Sequence, residues 1–182
     1  MIRAFIASLA LFSFLAFAGP IVQFETNLGP FTVELNSEKA PITSKNFLRY
    51  VNDGSYVGSI FHRVIPGFMV QGGGFDKEMN RLSSYPPIKN EASNGLKNKT
   101  ATIAMARTSD PNSATRQFFI NLADNDFLDH SAGQAGYAVF GKVTSGFNVI
   151  EAIAKKRTHS LGQMRDVPEE PIVITNVTIE KK

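Results

Sequence analysis

The chain has 182 residues, of which 43% are hydrophobic and 19% charged, a balance typical of one globular domain with a sizeable core. The formal net charge of +3 is modest and the basic residues are mostly scattered, so we expect no nucleic-acid partner. The chain has no cysteine, which excludes disulfides, thiolate metal sites and a cysteine nucleophile.

The N-terminal segment is organised like a secretory signal peptide. A short basic start, Met-Ile-Arg, precedes an apolar run from Ala4 to Phe17, and Ala16-Phe17-Ala18 is a small-x-small cleavage site. We therefore predict a signal peptide over residues 1–18 and a folded domain over residues 19–182. An uncleaved membrane anchor is the alternative, because the apolar run approaches the roughly 20 residues that a spanning helix needs. Gly19-Pro20 interrupts that run and favours cleavage.

The folded part begins with a predicted hairpin and a predicted helix. Apolar and polar residues alternate over Ile21–Thr26 and Phe31–Leu35 on either side of a Gly-Pro turn, which is typical of paired strands. A helix is predicted from Ala40-Pro41 to about Asn52, because proline suits a first helical turn, and Gly54 suits the end.

The stretch from Phe61 to Phe75 predicts two short apolar strands joined by Pro66-Gly67 and followed by a glycine run. Strict alternation would place Phe61, Arg63 and Ile65 on one side of the first strand.

Two polar side chains interrupt this apolar stretch. Antiparallel pairing would bring Arg63, Met69 and Gln71 together, so that the amide could orient the guanidinium. A guanidinium rarely occurs in such a stretch without a partner or a task, so Arg63 is either a functional cation or half of a structural ion pair. His62 is interpreted as a hydrogen-bonded strand histidine, because the histidines lack the spacing of metal ligands.

The rest of the chain predicts a long polar loop, more strands and a second helix. Many short strands with two helices predict an all-β barrel whose open ends the helices cover. The predicted elements are a loop over residues 76–99, strands over Ala101–Ala106, Gln117–Asn121, Tyr137–Val143 and Ile172–Ile179, and a helix that begins at Thr144 or Ser145 and has Lys155, Lys156 and Arg157 in its last turn.

The residues from Phe61 to Gly73 read Phe-His-Arg-Val-Ile-Pro-Gly-Phe-Met-Val-Gln-Gly-Gly and resemble the signature of the cyclophilins, the cyclosporin-binding family of peptidyl-prolyl isomerases. Gln117–Ile120 and Val139–Val143 resemble two further blocks of the family, and the resemblance extends from Ile21 to Ile179. It implies an all-β fold with two helices, a closed barrel of eight antiparallel strands capped by two α-helices. It also implies a peptidyl-prolyl cis-trans isomerase that uses no cofactor and no metal.

The resemblance implies roles for individual residues. Arg63 would be the catalytic donor to the prolyl nitrogen, and Gln71 would orient it and contact the substrate backbone. Phe61 matches a position at the edge of the proline pocket but is equally compatible with the core. The substrate-binding positions that the resemblance implies are Phe61, Phe68, Met69, Ala106, Arg107, Gln117, Phe119, Phe127, Leu128 and Tyr137.

Three of these positions depart from the family pattern. Phe127 stands where the family has a tryptophan, which keeps a ring but loses an N–H donor, so cyclosporin binding should be weak. Tyr137 replaces a histidine. Arg107 replaces an asparagine at a position where the backbone is expected to contact the substrate.

These features are similar to the secreted bacterial branch of the family and, with the predicted signal peptide, indicate the periplasm. The implied function is to accelerate X-Pro isomerisation while exported proteins fold. The expected partners are proline-containing, unfolded or partly folded polypeptides, and we expect a monomer that does not associate with the membrane once its signal is cleaved. The alternative is a chaperone or peptide-binding module on the same barrel, with incidental isomerase activity.

Overall fold

The computed structural model describes residues 19–180, so the predicted signal peptide over residues 1–18 lies outside the described residues. The strands and helices alternate along the chain as a run of hairpins interrupted by two α-helices. Their bounds are β1 Ile21–Thr26, β2 Gly29–Leu35, α1 Pro41–Asn52, β3 Ser59–Ile65, β4 Met69–Asp76, β5 Thr102–Met105, β6 Phe118–Asn121, β7 Val139–Ser145, α2 Phe147–Ala154, β8 Thr158–Leu161, β9 Met164–Pro168 and β10 Ile174–Ile179.

Eight of the strands form one antiparallel sheet in the order β10-β1-β2-β7-β5-β6-β4-β3. The outer strands β3 and β10 meet at one bridge between Ile60 and Val173. Beside it, the Phe61 N–H donates to the Ile172 carbonyl at 2.9 Å and the Gly58 N–H donates to the Ile174 carbonyl at 2.8 Å. The eight antiparallel strands and two helices are confirmed, but the barrel is only nearly closed, because a bridge and not a continuous ladder joins its ends.

The barrel interior is filled largely by aromatic side chains, which come from the strands and from helix α1. Phe24 and Phe31 stack with ring centroids 4.8 Å apart, and Phe47 of α1 meets Phe118 of β6 edge to face at 5.7 Å. Helix α2 adds Ile150, which is also fully buried. Each such side chain contributes roughly 1.5–3 kcal/mol through burial. The two helices thus complete the core that the sheet encloses.

A β-bulge in β3 breaks the alternation that the sequence predicted. Phe61 pairs with Gly72 and Arg63 with the next residue along β4, Gln71, so β3 has one residue more than β4 in this interval. Phe61 therefore points into the barrel with Val64, while Arg63 lies on the outer side. The prediction that Phe61 and Arg63 share a side was wrong, because strict alternation assumes a ladder without bulges.

The glycine run of β4 is required by close approach of neighbouring side chains. Gly73 has a left-handed backbone with φ of +84°, and a Cβ there would lie 2.9 Å from the Tyr56 ring and 3.0 Å from the Phe118 ring. A Cβ on Gly74 would lie 2.5 Å from the Gln117 side chain. The run thus lets β4 pass close to the core on one side and to Gln117 on the other.

The C-terminal quarter differs most from the prediction. Helix α2 follows Gly146, whose φ is +75°, so neither Thr144 nor Ser145 caps it. It ends at Ala154, which places the basic residues 155–157 after the helix and not in its last turn. The hairpin of β8 and β9, with Gly162 at its turn, was not predicted at all. No helix within residues 19–180 is long and apolar enough to cross a membrane.

Candidate active site

A second apolar cluster lies on the outer face of the barrel, where β4, β5, β6 and β7 run side by side. On β6, Phe118 and Ile120 point into the core, and Phe119 between them points outward yet is only 4% exposed. An outward side chain on a barrel ordinarily faces water, so this burial marks a separate apolar site. The cluster comprises Met69, Ala104, Phe119 and Val139, with Ile65, Phe68, Leu96, Ala106, Leu128 and Tyr137 packed around them.

The rim of this cluster is aromatic and partly open. The Phe68 ring stacks on the Phe127 ring with centroids 5.5 Å apart, and Phe127 is 64% exposed. Across the cluster, Tyr137 meets Phe119 edge to face at 5.7 Å. An apolar floor with a partly solvent-exposed aromatic rim can bind a small apolar ring. We refer to this cluster and its rim as the apolar recess.

A polar row borders the apolar recess. Arg63 pairs with Gln71 across β3 and β4, and Gln71 pairs with Phe119 across β4 and β6, so one sheet row joins the guanidinium to the recess floor. The predicted juxtaposition of Arg63 and Gln71 is therefore present. The Gln71 amide donates to the Gln117 side-chain oxygen at 2.9 Å, and within residues 19–180 it makes no hydrogen bond to Arg63.

Arg63 has an acidic neighbour that the sequence did not predict. Its Nε lies 3.6 Å from Asp166 Oδ2, and the two side chains are 43% and 38% exposed. This ion pair is too open and too long to bury the guanidinium as a structural charge. In the described part of the chain the Nη groups of Arg63 donate no hydrogen bond, so they are available to a ligand.

The segment after β5 provides backbone groups at the edge of the recess. The Ala106 N–H donates to the Gln117 carbonyl at 2.9 Å, but neither the Ala106 carbonyl nor the Arg107 N–H has a hydrogen-bond partner among residues 19–180. The Arg107 side chain is engaged within the protein, since its Nε donates to the Gly136 carbonyl at 3.0 Å and its guanidinium lies 4.3 Å from the Tyr137 ring centroid. Its backbone is therefore the part that is free to meet a peptide.

A buried polar network that the sequence analysis missed holds one wall of the recess. Asn125 donates to the Phe68 carbonyl at 3.0 Å and to the Asn121 side chain at 2.7 Å, and Asn121 donates to Asn98 at 3.2 Å. Burial alone would raise the pKa of Asp129, but hydrogen bonds from Asn98 lower it below its ordinary value. Five asparagines and aspartates between residues 121 and 129 were the available signal.

His62 lies next to Arg63 in the β3 bulge and is buried beside Phe75. It is 3% exposed, its ring is 4.7 Å from that of Phe75, and its Nδ1 has no hydrogen-bond partner among residues 19–180. The interpretation of a hydrogen-bonded histidine is therefore only partly correct, because the ring interacts with the Ile60 backbone and the Gln117 side chain while its Nδ1 is unsatisfied in that part of the chain. Burial, helped by the Arg63 charge, lowers the pKa of His62 to about 4, so the ring is neutral near pH 7.

The structure brings most of the predicted site residues together. Phe61 is the exception, since it is fully buried inside the barrel, 6.2 Å from the Phe31 ring and 6.0 Å from the Phe118 ring. This packing favours the core interpretation that the sequence left open. The predicted residues in or beside the recess are Arg63, Phe68, Met69, Gln71, Ala106, Arg107, Gln117, Phe119, Phe127, Leu128 and Tyr137.

An open cavity of about 1240 Å³ adjoins the recess at Leu96 and Val139 and continues along Pro20, Leu35 and Lys142. It contains neither Arg63 nor the aromatic rim, so the recess remains the better candidate for chemistry. Among residues 19–180, no group of three or more His, Asp or Glu side chains could hold a metal ion.

Comparison with known families and proteins gives a consistent result. The model of the family described as "Cyclophilin type peptidyl-prolyl cis-trans isomerase/CLD" matches residues 21–179. A peptidyl-prolyl cis-trans isomerase of Acinetobacter baylyi is 54% identical over 91% of this chain and 88% of its own length. The peptidyl-prolyl cis-trans isomerase A of Dickeya dadantii is 52% identical over 97% of this chain and 94% of its own length.

Solved structures agree with the fold. The crystal structure of a Cryptosporidium parvum cyclophilin-type isomerase, determined in the presence of the dipeptide Ala-Pro, superposes with a TM-score of 0.74 at 27% identity. The match covers 89% of this chain and 99% of that one.

Proposed function

Since this chain belongs to the cyclophilin family of peptidyl-prolyl cis-trans isomerases, we propose that the apolar recess beside Arg63 is its active site and that its substrates are exported polypeptides. The isomerase activity follows from the family and its named relatives. The observation that supports the site is the sheet row in which Arg63, Gln71 and Phe119 lie next to one another.

Isomerisation of an X-Pro bond requires no covalent intermediate and no proton transfer. The planar amide resists rotation with a barrier of about 18–20 kcal/mol, because resonance gives the C–N bond double-bond character. The uncatalysed reaction takes tens to hundreds of seconds and can limit folding. A catalyst must therefore bind the twisted bond more tightly than the planar one.

Arg63 supplies the interaction that favours the twisted bond. As the bond rotates, the prolyl nitrogen loses resonance and its lone pair becomes able to accept a hydrogen bond. The Nη groups of Arg63 have no partner within residues 19–180 and are held beside the recess, so they can donate to that nitrogen. Because this hydrogen bond exists only near the transition state, it raises kcat more than it changes substrate affinity.

The apolar recess and its edge supply ground-state binding. Met69 and Phe119 form a floor that would accept the proline ring, and Phe127 and Tyr137 flank it. The Ala106 carbonyl and the Arg107 N–H, which have no hydrogen-bond partner in residues 19–180, would pair with the extended substrate backbone. With Phe127 in place of an indole, cyclosporin would bind weakly.

The substrates would be met in the periplasm by a monomeric enzyme. The predicted signal peptide over residues 1–18 supports export, and the Pro20 carbonyl, shortly after it, accepts a hydrogen bond from the Leu35 N–H at 2.9 Å. Gly19 lies so close to the Leu35 carbonyl that a side chain would not fit. Cleavage after Ala18 would therefore leave the packed residues intact.

The site is tested by Arg63→Ala, with Arg157→Ala as the control because Arg157 is also exposed and ion-paired, at 3.3 Å from Glu169. Arg63→Ala is expected to lower kcat/KM on an X-Pro peptide by roughly 100-fold or more, as for loss of one transition-state donor. Its thermal stability should stay close to wild type, and the control should keep full activity. Unchanged turnover in Arg63→Ala would refute the site.

The location and the client role need separate experiments. Fractionation of cells that express the full chain, followed by N-terminal sequencing, should yield a periplasmic protein that begins at Gly19. A chain retained in the membrane with an intact N-terminus would instead support an anchor. If Arg63→Ala suppressed aggregation of an exported protein as well as wild type did, and also restored its folding rate, a chaperone role would replace the catalytic one.

A further inference from the structure

We infer that Asp166, on the hairpin of β8 and β9, is a positioning residue that orients the Arg63 guanidinium for catalysis. The inference rests on the proposed role of Arg63. It starts from the ion pair in which Asp166 Oδ2 lies 3.6 Å from Arg63 Nε. A carboxylate beside Nε restricts the guanidinium plane, and the Nη groups still have no hydrogen-bond partner within residues 19–180.

The backbone of Asp166 indicates that this placement is specific. Its φ is +62°, a left-handed conformation that costs any residue other than glycine free energy. The pairing of β8 with β9 also shifts register between His159 and Leu161, opposite this part of β9. Bulges of this kind redirect side chains and are frequent beside active sites. Glycine would relieve the strain but would remove the carboxylate.

A second bulge, on β3, directs Arg63 toward the same point. The register shift between Phe61 and Arg63 turns Arg63 out of the barrel, and β9 packs against β3, with Val167 buried next to Asp166. Arg63 and Asp166 therefore come into contact because β3 and β9 each have a bulge next to the residue concerned. Gln71, the residue expected to orient Arg63, donates its hydrogen bond to Gln117 instead, and within residues 19–180 Asp166 is the side chain that forms an ion pair with the guanidinium.

The hairpin would therefore act on the reaction through Arg63 without touching the substrate. A half-exposed ion pair contributes little to folding, so its loss should hardly change stability. It should lower kcat by about 3- to 5-fold and leave KM unchanged within error, because the oriented hydrogen bond forms only in the transition state.

The test compares Asp166→Asn and Asp166→Gly with a matched control, Glu170→Gln, which removes an exposed ion pair of the same 3.6 Å length to Lys156. Both Asp166 variants should lower kcat with KM unchanged, and the control should match wild type. Asp166→Gly should also raise the melting temperature, because it relieves the left-handed strain. A purely structural Asp166 would instead give a more stable glycine variant with undiminished kcat, which would overturn the inference.

Two further measurements separate this inference from the proposed function. In an Arg63→Lys background, Asp166→Asn should cause no additional loss of kcat, since the partner that it orients is gone. The NMR cross-peak of Arg63 Nε–Hε should shift in Asp166→Asn and not in the control. If Arg63→Ala is inactive but both Asp166 variants behave like wild type, only the positioning role fails; if Arg63→Ala stays active, the site assignment fails as well.

Discussion

The molecule has two apolar regions that share strands and differ in what they do. Inside the barrel, aromatic rings pack edge to face and are almost completely buried. Outside it, the apolar recess uses the opposite faces of β4, β5 and β6, and its rim stays open at Phe127. Phe118 and Phe119, adjacent in sequence, belong one to each region. One strand can therefore serve stability with one face and binding with the other, because successive side chains point to opposite sides.

The same contrast holds for two arginines. Arg116 is buried and donates to the carbonyls of Gly73, Ser83 and Ser55, all at 2.6 Å, so its charge ties loops to the barrel. Arg63 is half exposed, and within residues 19–180 it has one ion-pair partner and its Nη groups donate no hydrogen bond. The number of protein acceptors around a guanidinium distinguishes a structural cation from one available to a ligand.

The largest expected effect on stability comes from removing an aromatic ring from the barrel interior. Phe118→Ala should destabilise the protein by about 3–5 kcal/mol, because the fully buried ring leaves a cavity that the surrounding rings cannot fill. The folded fraction should keep a kcat/KM close to wild type, since the ring does not line the recess. Denaturant unfolding and a peptide assay at low temperature measure both quantities. Phe118→Leu replaces the alanine variant if that variant does not fold. A large loss of activity in folded protein would contradict the separation of the barrel interior from the recess.

His62 allows burial beside the β3 bulge to be tested by pH. Its pKa is about 4 in the folded protein and about 6.5 in the unfolded chain, so between these values the unfolded state binds the extra proton. The neutral His62 ring therefore makes its full contribution to the free energy of unfolding above pH 6.5. This contribution falls by up to about 3 kcal/mol as the pH falls toward 4. In His62→Gln this pH dependence should be absent, so the free energy of unfolding should decrease less between pH 7 and pH 4.5 than it does in wild type. Identical slopes for the two proteins would show that His62 is not buried as a neutral ring.

Phe119→Ala should have the opposite signature to Phe118→Ala. It should cost about 1–2 kcal/mol of stability, because the open rim can close partly over the gap. Its kcat/KM on an X-Pro peptide should fall by about 10- to 100-fold through lost contact with the proline ring, the equivalent of roughly 1.5–3 kcal/mol. Parallel unfolding and kinetic measurements on the two variants provide the check. Equal losses in both quantities would mean that the two regions are not separable.

The smallest effect is expected at the exposed rim. Phe127→Trp adds an N–H donor to a side chain that is 64% exposed, so stability and isomerase turnover should hardly change. Cyclosporin should bind more tightly by up to about tenfold, the value of one hydrogen bond. Fluorescence titration measures this directly, because the introduced indole is the only one in the chain. Unaltered affinity would indicate that the indole N–H is not the missing contact.

The family and the main elements could be predicted from local sequence, because motifs and the two-residue period of strands are properties of neighbouring residues. The β1–β2 hairpin, helix α1 and the strands around Pro66-Gly67 were predicted within a few residues. Several apolar residues of the recess were also predicted to lie together, since the Gln-Phe-Phe block and the Phe-Met pair after the turn mark them.

Tertiary structure alone decided the features that depend on strands meeting in space. The bulge that separates Phe61 from Arg63 depends on which β4 residues β3 pairs with, and the hairpin of β8 and β9 lacks the apolar content that would have marked it. The contact of Asp166 with Arg63 joins residues 103 positions apart in the chain, a separation that no local pattern encodes. Local chemistry thus determined which residues could form a site, and long-range packing determined which of them the protein brings together.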